Sequence, residues 1–330
     1  MAYDPNVFRR ANARLEARRN ERAAALDARR SEIYAALPRV RDIDRQLQDT
    51  IRQVIVSALK RGTDPIPAVK VLRDRNLDLQ AERSELLHAH GYAIDALEEA
   101  PFCPKCNDTG WVGATMCTCL KALCQEEQIK ELSSLLGLNN QSFDNFDLDC
   151  YSSLPWPGQP LPPRDNMELI RDTCYHYATK FRHTELRNLF FHGAPGLGKT
   201  FLSACIAKEV SEAGYSVVYD TASNIFAQFE ARKFDRDPGA ADDTRRYLSC
   251  DLLLMDDLGT EMTTPFVQSA LYSLVNSRLM EDRCTVISSN LSMDQIRQRY
   301  SAQVASRLEG EYHSMFFYGD DIRLQKRRRF

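Results

Sequence analysis

Leu189-Phe-Phe-His-Gly-Ala-Pro-Gly-Leu-Gly-Lys-Thr200 is the stretch from which the fold is read. Its first four residues have the apolar character of a buried strand. Gly193, Ala194, Pro195, Gly196, Leu197, Gly198, Lys199 and Thr200 then match G-x4-G-K-[ST] without deviation, and Phe201 to Ala213 carries a helical pattern. Strand, glycine loop and helix, in that order, form the setting in which this motif holds a nucleotide. The glycines let backbone N–H groups approach phosphate oxygens, and Lys199 reaches the β- and γ-phosphates. Thr200 offers a hydroxyl to Mg²⁺, and the helix N-terminus favours negative charge. The stretch predicts an α/β domain that binds ATP and Mg²⁺.

Toward the C-terminus, Asp251-Leu-Leu-Leu-Met255 is a second apolar run, ending in Asp256-Asp257. In a P-loop domain Asp256 would hold Mg²⁺, directly or through water, and Asp257 would orient or deprotonate the attacking water. Aspartate is one methylene shorter than the glutamate more often found at the second position, which implies slow turnover. A third apolar run, Thr285 to Ser289, ends at Asn290, placed to sense the γ-phosphate or position the water. Ser292 and Gln295 have the spacing of a capping box that starts the next helix. After the strand-like Tyr215 to Tyr219, residues Phe226, Phe229, Arg232, Lys233 and Phe234 mix rings with positive charge. That mixture suits stacking on single-stranded DNA, and the spacing of Phe226 and Phe229 equally suits the core face of a helix. The Lys326 to Arg329 tail is a weaker candidate for DNA contact, with a solvated terminus as the plain alternative.

Toward the N-terminus, residues 137–165 are rich in Asn, Ser, Pro and aromatics. Phe143, Phe146, Tyr151 and Trp156 are too many rings for a free tether, so this linker is expected to wrap on the domain that follows. Before it, Cys103, Cys106, Cys117 and Cys119 form C-x2-C-x10-C-x-C. Two close thiolate pairs separated by a turn at Gly110 can close a tetrahedron around Zn²⁺. Only one residue separates the second pair, so Cys124 stands as a substitute fourth ligand, and an all-Cys set points to structural rather than catalytic metal. Residues 5–61 read as two helices meeting at Pro38. In the second, Val40, Ile43, Leu47, Ile51, Val54 and Ala58 form an amphipathic stripe. Arg61-Gly62 and Asp64-Pro65-Ile66-Pro67 interrupt the pattern, and a third helix is expected from about Ala68 to Glu99. Residues 1–61 hold 14 Lys or Arg against 8 Asp or Glu, either a solvated helical face or a surface that docks a partner.

Composition limits the classes open to the chain. Its 330 residues are 43% apolar and 27% charged, with a net charge of −3, so any nucleic-acid contact must rest on local patches. Four of the ten cysteines crowd between 103 and 119, an arrangement that argues for metal in a reducing compartment. No apolar run approaches the ~20 residues of a membrane span, and no secretory pattern opens the chain. The expectation is a cytoplasmic protein without membrane contact.

The segment from about 100 to 325 resembles the bacterial helicase loaders of the DnaC and DnaI type and their relative, the IstB transposition ATPase, all AAA+ proteins. The resemblance is carried by the cysteine segment, Phe143-Asp-Asn-Phe-Asp-Leu148, the loop from Gly193 to Thr200, Asp256-Asp-Leu-Gly-Thr-Glu261 and Ser288-Ser-Asn290. It implies an α/β AAA+ P-loop fold with a parallel, RecA-like sheet, a helical N-terminal domain and a small zinc-binding segment. The implied division is 1–100 for partner binding, 101–136 for the four-cysteine zinc segment, 137–164 for the wrapping linker and 165–330 for the ATPase. Arg307, in Ala305-Ser-Arg-Leu-Glu-Gly310, falls at the family's arginine finger, and Arg323, in Asp320-Asp-Ile-Arg, at its second sensor. With Lys199, Asp256, Asp257 and Asn290 these complete the implied catalytic set. Seven residues follow Arg323, too few for the full helical lid of many AAA+ proteins. The function implied is ATP-dependent loading of the replicative DNA helicase, with contact to single-stranded DNA and self-association in the ATP state. A transposition helper of the IstB kind and a non-hydrolysing, ATP-switched adaptor remain open.

Overall fold

The computed structural model describes residues 3–59, 66–136, 141–234 and 240–324, with the side chains of 51–72 and 234–243 outside that description. Ile51, Val54 and Ala58 of the helical stripe, the break around residues 61–65, the side chain of Phe234 and the basic tail therefore lie outside the described residues. Two compact units are formed, one by residues 14–115 and one by residues 1–13 with 116–330.

Helices α1 (Pro5–Ala36), α2 (Pro38–Leu59) and α3 (Ile66–Ala89) account for most of the first unit. Leu37 separates α1 from α2. Proline restricts the residue before it and removes its own N–H, so the sequence break falls where expected. Ile33, Leu37, Val40, Leu87, Ala96 and Leu97 pack into one small core, and Arg39 grips Glu82 through two hydrogen bonds of 2.7 and 2.8 Å. The third helix stops ten residues earlier than its composition suggests. Gly91 adopts φ +79°, and Tyr92 N–H donates to Leu87 O at 2.9 Å while Gly91 N–H donates to His88 O at 3.0 Å. A left-handed glycine that satisfies the last carbonyls ends a helix even where the following residues favour one. The two-residue strands β1 (Trp111–Val112) and β2 (Thr115–Met116) pair as a ribbon.

The second unit contains α4 (Thr118–Leu136), α5 (Pro163–Thr179), β3 (Leu189–Gly193), α6 (Lys199–Glu212), β4 (Val217–Thr221), α7 (Ala222–Phe234), α8 (Ala240–Ser249), β5 (Leu252–Leu258), α9 (Pro265–Met280), β6 (Cys284–Ser289), α10 (Met293–Arg299), α11 (Ala302–Glu311) and β7 (His313–Phe317). The last five strands form one parallel sheet in the order β4-β5-β6-β3-β7. Parallel strands need crossover helices, which cover both faces, so the strands read as continuous apolar runs. Alternation then assigns each face. Leu189, Phe191, Leu252, Leu254 and Val286 pack with Met167, Cys174, Leu202 and Ile206 of α5 and α6. Phe190, Leu253, Met255 and Ile287 pack with Phe226, Leu271, Ile296 and Leu308 of α7 and α9 to α11. This is the parallel α/β sheet architecture expected from the sequence.

Two hydrogen-bonded features fix the site-bearing ends of these strands. Ser292 caps α10 and Gln295 returns the bond, completing the capping box. The ladder between β5 and β6 shifts register between Met255 and Leu258, and Asp257 sits there with φ +56°. The two acidic residues thus occupy a bulge.

Among the described residues no helix is long and apolar enough to cross a membrane.

Candidate functional site

Strand order brings the motifs together. Strands β5, β6 and β3 are neighbours, so Asp256-Asp257, Asn290 and the loop after Gly193 all emerge at the carboxyl edge of three adjacent strands. After β3 the chain leaves for the far edge of the sheet, and the crevice at such a switch point is where open α/β sheets bind ligands. A cleft of about 460 Å³ lies there, lined by Lys199, Thr200, Asp257, Asn290 and Arg323 and by Phe146, Asp147, Tyr151 and Ile322.

Gly193 has φ +137°, and a Cβ there would lie 2.0 Å from the carbonyl oxygen of Phe317. Gly196 has φ +79°, and its Cβ would strike the Asp321 carboxylate at 2.0 Å. These positions need glycine because the last strand and the C-terminal segment press against the loop. The same packing delivers Arg323, whose N–H donates to Asp321 Oδ1 at 2.8 Å. Ile322 N–H donates to Gly196 O at 3.1 Å.

The Lys199 ammonium is buried and donates to Gly193 O at 2.7 Å, Ala194 O at 2.8 Å and Asn290 Oδ1 at 2.8 Å. Asn290 is thereby tied to the loop lysine at the tip of β6. Asp256 is buried, and its Oδ2 accepts from Thr200 Oγ1 and from the Tyr219 hydroxyl, both at 2.9 Å. Its Oδ1 accepts from the Ser288 hydroxyl. Asp257 N–H donates to Ser288 Oγ at 3.0 Å. Burial pushes the Asp257 carboxyl above the usual carboxylate range and the charge of Asp256 adds to this, while Lys199 and Arg323 oppose it. A raised carboxylate beside cations has the character of a proton acceptor.

Burial also lowers the Lys199 ammonium to about 8, with Asp257 and Asp256 raising it and Arg323 lowering it further. Phosphate oxygens at Nζ would favour the charged form. ATP binding at pH 8.5 is therefore expected to take up protons. Uptake falls toward zero at pH 7, where the ammonium is already charged. Calorimetry in buffers of different ionisation enthalpy measures this, and uptake that does not rise with pH contradicts it.

Arg307 is not part of this cleft. It lines a second one of about 580 Å³, beside Arg187, Asn276, Arg283 and Glu311, where its guanidinium lies 3.8 Å from Glu311. The five other residues of the implied catalytic set sit at or beside the nucleotide cleft. Phe146, Asp147 and Tyr151 were not singled out as site residues from the sequence, although the wrapping of their segment was expected. The Tyr151 hydroxyl donates to Leu197 O at 3.0 Å, and the ring of Phe146 lies between those of Tyr151 and Phe201 at 5.8 and 5.6 Å.

Two of the three candidate DNA-stacking rings, Phe226 and Phe229, take the core alternative. Phe226 is buried and Phe229 packs against the same cluster. Arg232 donates to Thr244 Oγ1 at 2.8 Å, and Lys233 lies 4.9 Å over the Phe266 ring. The periodicity of the two rings follows the apolar face of α7: Phe226 is fully inside the core and Phe229 is partly buried against it.

The thiol sulfurs of Cys103, Cys106, Cys117 and Cys119 all lie within 4.8 Å of one another. A tetrahedron with metal–sulfur bonds of about 2.3 Å has edges just under about 4 Å, so the set fits Zn²⁺. Cys124 is not among them; it is buried in α4, where burial raises its thiol to about 11. Asp108, also buried, accepts from Cys103 N–H at 2.7 Å and Phe102 N–H at 3.0 Å and pairs with Arg22. The first knuckle is thus shaped by hydrogen bonds as well as by its cysteines.

Residues 178–329 match the family described as IstB-like ATP binding protein. The chain is 25% identical over 125 residues to the uncharacterized protein YdaV of Escherichia coli K12, covering 38% of this chain and 50% of that protein. It is 29% identical over 116 residues to the replicative helicase loader DnaI of Bacillus subtilis 168, covering 35% and 37%. To the replicative helicase loader DnaC of Escherichia coli K12 it is 24% identical over 171 residues, covering 51% and 63%. The matched stretches span about half the length of these curated relatives. Among solved structures, that of DnaI aligns at a TM-score of 0.44 and 19% identity, over 56% of this chain and 92% of that one. The DnaC helicase loader aligns at 0.43 and 20%, over 53% and 98%. By its sequence, the stretch 178–329 is similar to the IstB-like ATP-binding proteins, and the chain shares partial similarity with the replicative helicase loaders DnaI and DnaC.

Proposed function

We propose that this protein is an ATP-switched loader of a replicative DNA helicase, working in the cytoplasm, with single-stranded DNA and further copies of itself as partners in the ATP state. The observation that carries the reading is the convergence of Lys199, Thr200, Asp256, Asp257, Asn290 and Arg323 on one cleft, in a chain related to two helicase loaders. Lys199 and the loop amides would hold the triphosphate; Thr200 and Asp256 would hold Mg²⁺. When bound, Mg²⁺ neutralises charge on the β- and γ-phosphates. Asp257 orients the attacking water and receives its proton, Asn290 contacts the γ-phosphate, and Arg323 answers the same charge from the C-terminal segment. Arg307, on a different cleft, would complete the site of a neighbouring copy. Residues 1–100 would grip the helicase, and residues 165–330 form the ATPase.

Co-purification of the full chain with the cognate helicase, with and without ATP, tests the proposal. ATP-dependent capture is expected, and absence of capture under both conditions rejects the loader reading. The family match favours one second reading, a transposition helper, whose signature would be DNA-stimulated oligomerisation and capture of a transposase instead.

Cys103, Cys106, Cys117 and Cys119 would hold one structural Zn²⁺. One equivalent of zinc in the purified protein is expected, falling below a tenth in Cys103→Ser/Cys106→Ser, with chelators lowering thermal stability of the wild type alone. Metal-free wild type with unchanged stability would remove zinc from the account.

A further inference from the structure

The carboxylate of Asp256 is held by more than the loop threonine. An ionised carboxylate offers about four lone-pair sites. Three hydroxyls occupy three of them: Thr200 and Tyr219 on Oδ2, each at 2.9 Å, and Ser288 on Oδ1. Thr200 belongs to the phosphate loop and is already expected at the metal. Tyr219 and Ser288 belong to the strands on either side of β5; Tyr219 lies in no quoted motif, and Ser288, though it opens Ser288-Ser-Asn290, has no role assigned to it by that motif.

Their placement follows from the ladder. Parallel pairing sets Tyr219 opposite Leu254, two residues before Asp256, so the phenol reaches along β4 to the carboxylate. On the other side, regular pairing between β5 and β6 is interrupted between Met255 and Leu258. Ser288 covers that interruption with its side chain, accepting from Asp257 N–H at 3.0 Å while donating to Asp256. One serine therefore spans both acids, and two residues further along the same chain Asn290 meets Lys199. Buried hydroxyls in a sheet commonly do no more than satisfy a neighbour. Here both converge on the one buried carboxylate that faces the phosphate-loop threonine.

We infer that Tyr219 and Ser288 are positioning residues for the metal-binding carboxylate, fixing the rotamer of Asp256 so that its remaining lone pair and the Thr200 hydroxyl address one divalent cation. The inference rests on the proposed ATP and Mg²⁺ reading and adds two residues to it. Groups that orient a metal ligand typically change metal affinity 10- to 100-fold when removed.

The test uses the full chain and a fluorescent ATP analogue, first in EDTA and then across a Mg²⁺ titration, for wild type, Tyr219→Phe, Ser288→Ala and Ser288→Thr. Tyr219→Phe and Ser288→Ala are expected to bind the analogue in EDTA within about twofold of wild type but to need roughly tenfold more Mg²⁺ for the half-maximal effect. Ser288→Thr, which keeps the hydroxyl, is expected to stay near wild type. Magnesium titrations of the two deletions that superimpose on wild type overturn the inference, as does an equal loss of affinity with and without Mg²⁺, which marks a merely structural role. Wild type that binds no analogue overturns the ATP reading itself, a result distinct from either.

Discussion

Lys199→Ala is expected to weaken ATP binding at least about a hundredfold, because two charge-assisted hydrogen bonds to phosphate, each contributing about 1.5–3 kcal/mol, are lost together. The fold should survive. Lys199 begins α6, where Ala is a better helix former, and of the two loop residues whose carbonyls it leaves, Ala194 is exposed. Equilibrium binding of a fluorescent nucleotide, with a thermal melt in its absence as control, separates the two effects. Retained affinity in a well-folded variant would remove Lys199 from the phosphate site.

Arg307→Ala is expected to behave in the opposite way, leaving ATP affinity within about twofold of wild type while lowering partner-stimulated hydrolysis about a thousandfold, the scale of an arginine finger. The geometry motivates the contrast. Arg307 lines a cleft that shares no lining residue with the nucleotide cleft, and its 3.8 Å pair with Glu311 is a half-exposed contact of small energetic consequence. Mixing supplies the sharper measurement. Lys199→Ala retains the arginine and Arg307→Ala retains the nucleotide site, so the two inactive proteins together should recover part of the stimulated rate. Equal loss of ATP binding in both variants, with no recovery on mixing, would sink the assignment in trans.

The parts of the fold that local chemistry dictates were readable from the sequence. The glycine loop, the apolar runs ending at Asp256 and Asn290, the break at Pro38 and the Ser292 to Gln295 capping box all occur where residue type and spacing place them. The end of α3 was misplaced because a single left-handed glycine outweighs ten residues of good helix-forming composition. Phe226 and Phe229 were ambiguous for a different reason: a ring at helical spacing looks the same whether it faces nucleic acid or a sheet. Phe146 and Tyr151 could not be assigned to the nucleotide cleft, nor Tyr219 and Ser288 to the Asp256 carboxylate, since each arrives there through non-local packing or pairing. Tyr219 reaches Asp256 only because β4 and β5 are neighbours. Strand order arises from crossover packing over the whole sheet, and no local window contains it.

The bulge at Asp257 bears on how the protein could change over evolutionary time. In a regular strand two successive side chains point to opposite faces, whereas the left-handed turn at Asp257 places this residue in the cleft lining immediately after the buried Asp256. That backbone conformation costs most L-residues roughly 1–2 kcal/mol and is visited routinely by glycine and occasionally by Asn and Asp. Glutamate would extend the reach toward a water molecule by one methylene but would meet the full conformational penalty. On the proposed reading, reach and backbone shape select against each other at one codon. A faster hydrolytic clock would require the strand to be reshaped before the longer acid could be accommodated, so the pace of the switch is inherited with the backbone rather than tuned at the side chain.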